Sequence, residues 1–110
     1  MNRTRRKQKT IKEVGALLRK SHFSPYLHIL KAELILLSEG HDALPLKEAE
    51  RAYLKAHKIN PNDLEAIEGL AHYYDAVDPN PSKARAFAKS YLVKSSSAAS
   101  RLRKILRESQ

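Results

Sequence analysis

The stretch KEAERAYLKAHKINPNDLEAIEGLAHYY, residues 47–74, constrains the fold more than any other part of the chain. Apolar residues recur at helical spacing on both sides of Asn60-Pro61-Asn62-Asp63, with Ala49, Ala52, Tyr53 and Ala56 before it and Ile67, Leu70 and Tyr74 after it. The residue before a proline is pushed out of the α region, so Asn60-Pro61 ends the first helix. Asn62 or Asp63 then caps the second, and Asn62 with Glu65 has the spacing of a capping box. Alanines on an inward stripe let two helix backbones approach closely, and the tyrosines fill the gaps that remain. The stretch predicts two tightly packed helices, the first over Pro45–Ile59 and the second over Leu64–Val77.

Helical spacing extends outward from this pair. Ile11, Val14, Leu17 and Leu18 predict a short amphipathic helix to Lys20. Ser21-His22-Phe23-Ser24-Pro25 interrupts it, with Ser24 suited to an N-cap and Pro25 to the first helical position. The next helix runs to Glu39 and stops at Gly40, a candidate left-handed C-cap. Its Tyr26, Leu27, Ile29, Leu30, Leu34, Ile35, Leu36 and Leu37 make it apolar on most of its circumference, so it must be covered on more than one side. The Ile11–Lys20 and Pro45–Ile59 helices are the expected covers, with a homodimer through Pro25 to Glu39 as the other way to bury it. After the turn Asp78-Pro79-Asn80-Pro81, with Asn80 as cap, a helix reaches Lys94. Ser95-Ser96-Ser97 is expected to loosen or re-cap the chain before a last helix, Ala98–Arg107, carrying Ala99, Leu102, Ile105 and Leu106. No segment alternates with period two, so no sheet is expected. The prediction is an all-α domain of about five helices over residues 10–110, preceded by a flexible basic arm, residues 1–9.

Composition bounds the function. The chain has 110 residues, enough for one domain, and no cysteine, which excludes disulfides, thiolate metal sites and a cysteine nucleophile. The longest unbroken apolar run, Leu34 to Leu37, is far short of a membrane span. The first residues are basic but lack an apolar h-region, so no secretory signal is read there and a cytoplasmic location is expected, with an organelle transit peptide as the weaker alternative. The net charge of +9 is unevenly placed: residues 1–22 and 83–110 each carry +7, and residues 23–82 carry −5. Basic ends of this kind favour phosphate-rich or acidic partners.

The spacing in the middle of the chain resembles the tetratricopeptide repeat (TPR). Ala49-x3-Tyr53-x2-Ala56 followed by Pro61 matches the second-helix half of its pattern, with Tyr for Phe. Ile67-x2-Leu70-Ala71-x2-Tyr74 matches the first-helix half of the next repeat, with Ile for Trp and Ala for Gly. Ala84 falls where that second repeat wants its alanine if one residue is inserted. Four places later stands Ala88 instead of an aromatic, with Phe87 one step early. The resemblance covers about residues 25–94. It implies a right-handed stack of antiparallel helical hairpins, about two repeats, with flanking N- and C-terminal helices as covers. It also implies a non-catalytic adaptor or scaffold that binds a protein or peptide on the face lined by the first helix of each repeat. Here those positions fall near Glu65, Glu68, Gly69, His72 and Asp75. The family's carboxylate clamp uses Lys, Arg and Asn, which this chain lacks there, so an acidic face preferring a basic segment is expected instead.

Other chemistry finds little support. The five histidines are scattered, and His72 with Asp75 supplies at most half a metal site. There is no Gly-rich phosphate loop and no G-x-S-x-G elbow. No enzyme, no cofactor and no metal are expected. The rival function is a basic nucleic-acid- or ribosome-associated protein gripping phosphates through Arg5, Arg6 and Lys7 at one end and Arg101, Arg103, Lys104 and Arg107 at the other. The basic segments lack stacking aromatics, so such binding would be non-specific. Residues 101–107 also form a basic amphipathic pattern suited to an acidic membrane or protein surface.

Overall fold

A computed structural model describes residues 10–38 and 44–109, and these form five α-helices with no strand among the described residues. They are α1 (Ile11–Lys20), α2 (Pro25–Leu37), α3 (Leu46–Ile59), α4 (Leu64–His72) and α5 (Pro81–Glu108). The starts are fixed by local chemistry. Thr10 and Glu13 form a reciprocal capping box on α1. The Ser24 hydroxyl accepts from the Leu27 amide at 3.2 Å, and Asn80 accepts from the Lys83 amide at 3.2 Å, each with a proline at the first helical position. Asp63, not Asn62, caps α4: its carboxylate accepts from the amides of Glu65 and Ala66, while the Asn62 amide donates to the Asn60 side chain. An aspartate there also opposes the positive end of the helix dipole.

Packing runs in chain order. α2 lies between α1 and α3, α4 packs on α3 and touches α2, and α5 packs on α4. Both covers expected for α2 are therefore supplied by the chain itself, while Tyr26 and Leu37 of that helix stay exposed. The core joins Ile29, Ala32 and Ile35 of α2 to Ala49, Ala52, Tyr53 and Ala56 of α3 and to Ala66 and Leu70 of α4. Ala49, Ala56 and Ala66 are wholly buried, as the close approach of helix axes requires. α1 adds Val14 and Leu18 to the outer side of α2.

α4 ends in a wider turn. Tyr73–Val77 is a single turn of π-helix, closed by the Asp78 amide on the Tyr73 carbonyl at 3.0 Å. It carries two buried tyrosines. Tyr73 donates to the Leu46 carbonyl at 3.4 Å, and Tyr74 donates to the buried Glu50 carboxylate, which also pairs with Lys47 at 3.1 Å. The Tyr74 ring stacks on Phe87 of α5 with centroids 6.0 Å apart. The π turn thus ties the beginnings of α3 and α5 together.

Several expectations are corrected. Ser95-Ser96-Ser97 does not break the chain, and α5 is one helix of 28 residues. Serine in a helix interior costs at most roughly 0.7 kcal/mol each relative to alanine. No glycine or proline occurs after Pro81, and the Ser95 hydroxyl satisfies itself on the Leu92 carbonyl. Only the start of the segment 98–107 meets the other described residues, at Ala98 and Ala99, and the apolar stripe covers none of them: Leu102, Ile105 and Leu106 are each more than half exposed. α2 stops at Leu37 with Ser38 as its cap, because the Ser38 hydroxyl turns back to the Leu34 carbonyl at 2.7 Å. Glu39 and Gly40 lie outside the described residues. Ala71 and Ala84 are half-buried rather than locked in the core, and α3 begins at Leu46, one residue after its Pro45 cap.

Candidate functional site

An open groove lies between α2 and α4. Here Gly69 removes a side chain from α4 just where the Tyr53 ring rises from α3. Tyr53 becomes the floor of a groove of about 360 Å³, with Leu36 and Val77 as apolar walls and Glu33, Glu65, Glu68 and His72 at its sides. Among the described residues, no lysine or arginine lines it. Glu65 and Glu68 stand one turn apart on α4, and Glu33 reaches the same space from α2. His72 approaches Glu68 at 3.7 Å.

The carboxylates influence one another and the floor. Burial first, then the charge of Glu65, raises the Glu33 carboxyl above its ordinary value. Burial first, then the charges of Glu33, Glu65 and Glu68, push the Tyr53 phenol up to about 12. All three charges thus converge on the Tyr53 hydroxyl. The result is a pocket of one electrostatic sign over an aromatic floor, a setting that favours a cation with an aliphatic stem.

Of the residues named from sequence, Glu65, Glu68 and His72 meet in this groove, and Asp75 does not line it. The π turn carries Asp75 to the other side, where it lines a second groove of about 420 Å³ with Ala71, His72, Ala84, Arg85 and Ala88. Glu33 was missed. Its helix is the first helix of the earlier hairpin in the repeat resemblance, and that correspondence is the signal that pointed to it. His72 pairs with Glu68 rather than Asp75, and among the described residues no group of three or more His, Asp or Glu is placed to hold a metal ion. Arg101, Arg103, Lys104 and Arg107 are all exposed on the projecting end of α5, whereas Arg5, Arg6 and Lys7 lie outside the described residues. No helix among the described residues is long and apolar enough to cross a membrane.

Comparison with family models, with curated proteins and with solved structures finds no match.

Proposed function

We propose that the chain is a non-catalytic interaction module of tetratricopeptide-like build, a stack of two helical hairpins whose acidic groove holds a basic segment of a partner protein. The observation that carries this reading is the convergence of Glu33, Glu65 and Glu68, from two helices, over Tyr53, with no lysine or arginine in the lining among the described residues. The hairpin reading draws support from the order of packing, α2 on α3 and α4 on α5, with α2 touching α4. It also draws support from the π turn, which takes up the one extra residue that the Tyr74-to-Ala84 spacing demands. A groove lined by one sign of charge selects the opposite sign, and the chain's overall positive charge sits at its ends. Beyond about 8 Å that charge is screened at physiological salt, so the local carboxylates decide what the groove attracts. The cysteine-free composition suits the cytoplasm, where we place the protein.

The test is a titration of the full chain with a fluorescent Lys/Arg-rich peptide, read by anisotropy. Saturable, salt-sensitive binding is expected. It should be lost on Glu65→Lys with Glu68→Lys and kept on Asp75→Lys, with helix content unchanged in both because these positions are exposed. Equal binding by the Glu65/Glu68 variant would overturn the reading. Retention of single-stranded nucleic acid that disappears when Arg101, Arg103, Lys104 and Arg107 are neutralised would favour the phosphate-binding function instead.

A further inference from the structure

Past Arg101, α5 runs clear of the other described residues. Every residue from 101 to 109 is exposed, including Leu102, Ile105 and Leu106. These three are not scattered. Where α5 lies along the bundle, its half-buried positions include Ala84, Phe87, Tyr91, Lys94 and Ala98, at alternating spacings of three and four. Leu102 and Ile105 continue the series by four and three, with Leu106 beside them. The overhang therefore extends, in register, the face by which α5 packs on α4. From Ala98 to the end of the helix it offers about three turns.

We propose that this overhang is the docking seam for an acidic amphipathic helix of a partner protein, laid along Ala98, Leu102, Ile105 and Leu106. Continuity with an existing helix–helix interface gives the occupant its shape. Its chemistry is given by the frame of the seam. By helical spacing, Lys94 and Arg101 border one edge, where Glu108 follows seven residues after Arg101, and Arg103 borders the other, with Lys104 and Arg107 on the outer side. Across residues 98–109 four Lys/Arg stand against that one acid. A helix with an apolar stripe between rows of Glu or Asp meets Arg101 and Arg103 at once. A second copy would bring two such positively charged segments together. A flat anionic bilayer is obstructed on one side, because the α3–α4 turn stands against α5. There Asn62 and Leu64 share a groove with Val93, Lys94, Ala98 and Arg101, and Lys94 donates to the Asn62 side chain at 2.7 Å. A helix, about 10 Å across, fits beside that turn where a plane does not.

The full chain is titrated with a synthetic helical peptide bearing a leucine stripe flanked by glutamates, and with a matched peptide in which lysines replace the glutamates. Saturable one-to-one binding of the glutamate peptide alone is expected. Leu102→Gln with Ile105→Gln, which leaves charge unchanged, should weaken it by roughly tenfold or more. Arg101→Gln with Arg103→Gln should do likewise, and both variants should keep the parent's helix content and thermal midpoint. Glu65→Lys with Glu68→Lys should leave this binding intact, separating the seam from the acidic groove. The proposal is overturned if the glutamate peptide does not bind, if both peptides bind equally, or if only the arginine substitutions matter. It is equally overturned if the chain instead self-associates in sedimentation through Leu102 and Ile105, or co-floats with phosphatidylglycerol vesicles while ignoring the peptide.

Discussion

Gly69 of α4 lies flat against the ring of Tyr53 on α3. A Cβ at Gly69 would come within 2.7 Å of Cδ1 of that ring and nearer still to Cε1 and Cζ. Tyr53 belongs to the buried core, so moving its ring disturbs its contacts there. Gly69→Ala should therefore incur an overpacking cost of roughly 1–3 kcal/mol, partly offset by the roughly 1 kcal/mol alanine gains in helix propensity, for a net destabilisation of up to about 2 kcal/mol. Gly15 is the control. Nothing lies within 4 Å of a Cβ built there, so Gly15→Ala on α1 should stabilise by about 0.5–1 kcal/mol. Chemical denaturation of the two variants checks the opposite signs, and the same sign for both would refute the close contact.

The Tyr74–Glu50 hydrogen bond is the buried polar link between the π turn and α3. The bond from Tyr74 first, then Lys47, holds the Glu50 carboxyl below its ordinary 4.5 against the opposing effect of burial. A depressed folded-state value means stability that is present above pH 4.5 and lost as pH falls through the lowered value. Tyr74→Phe keeps the ring that stacks on Phe87 and removes only the hydroxyl. It should cost about 1–3 kcal/mol at neutral pH, and because Glu50 of the variant no longer gains this bond on ionising, the deficit against the parent should shrink as pH falls through the Glu50 titration. A deficit that stays the same from pH 7 into acid, in a pH series of melts, would show that Tyr74 does not set the Glu50 titration.

The alanines divide into two groups that one substitution tells apart. Ala56 is wholly enclosed between helices, so Ala56→Leu should destabilise by roughly 1–3 kcal/mol. Ala71 borders the open groove toward Ala84 and Ala88, so Ala71→Leu should fall within about 0.5 kcal/mol of the parent. Thermal midpoints of the pair check the distinction.

These residues also separate what is local in the sequence from what is not. Helix starts announced themselves because Ser24-Pro25 and Asn80-Pro81 carry their capping chemistry within four residues. The Ala49, Tyr53 and Ala56 stripe was legible for the same reason: helical period alone places those side chains on one face. Ser95-Ser96-Ser97 misled because serine's preference for caps is weak beside the helix formers on both sides. The Gly69–Tyr53 contact and the place of Glu33 depend on how separate helices come together, which no local spacing encodes. Asp75 left the groove because the wider π turn changes the angular step after His72, so that Tyr73, Ala76 and Val77 line the groove and Asp75 does not, and its local sequence, YYDAV, gives no distinguishing mark.

Glu33 joins the groove's function to a measurable stability difference. Burial, then Glu65, raises its carboxyl above the ordinary 4.5. A raised acid contributes stability that is present below its unfolded-state value and lost as pH rises through the folded value, so at neutral pH the ionised Glu33 works against folding. Glu33→Gln should therefore raise the thermal midpoint at pH 7, reflecting a gain in stability of no more than about 1 kcal/mol in an exposed setting. The difference between variant and parent should vanish below about pH 4, where Glu33 is protonated in both states. Because both proteins retain Glu50, its opposite pH trend cancels in that difference. The same variant should bind a Lys/Arg-rich peptide more weakly than the parent, since it removes one of the three charges over Tyr53. A gain in stability together with a loss of binding is the pattern expected of a carboxylate held in place for a ligand. If Glu33→Gln lowers the neutral-pH midpoint, or leaves peptide affinity untouched, Glu33 belongs to the surface of α2 and not to the groove.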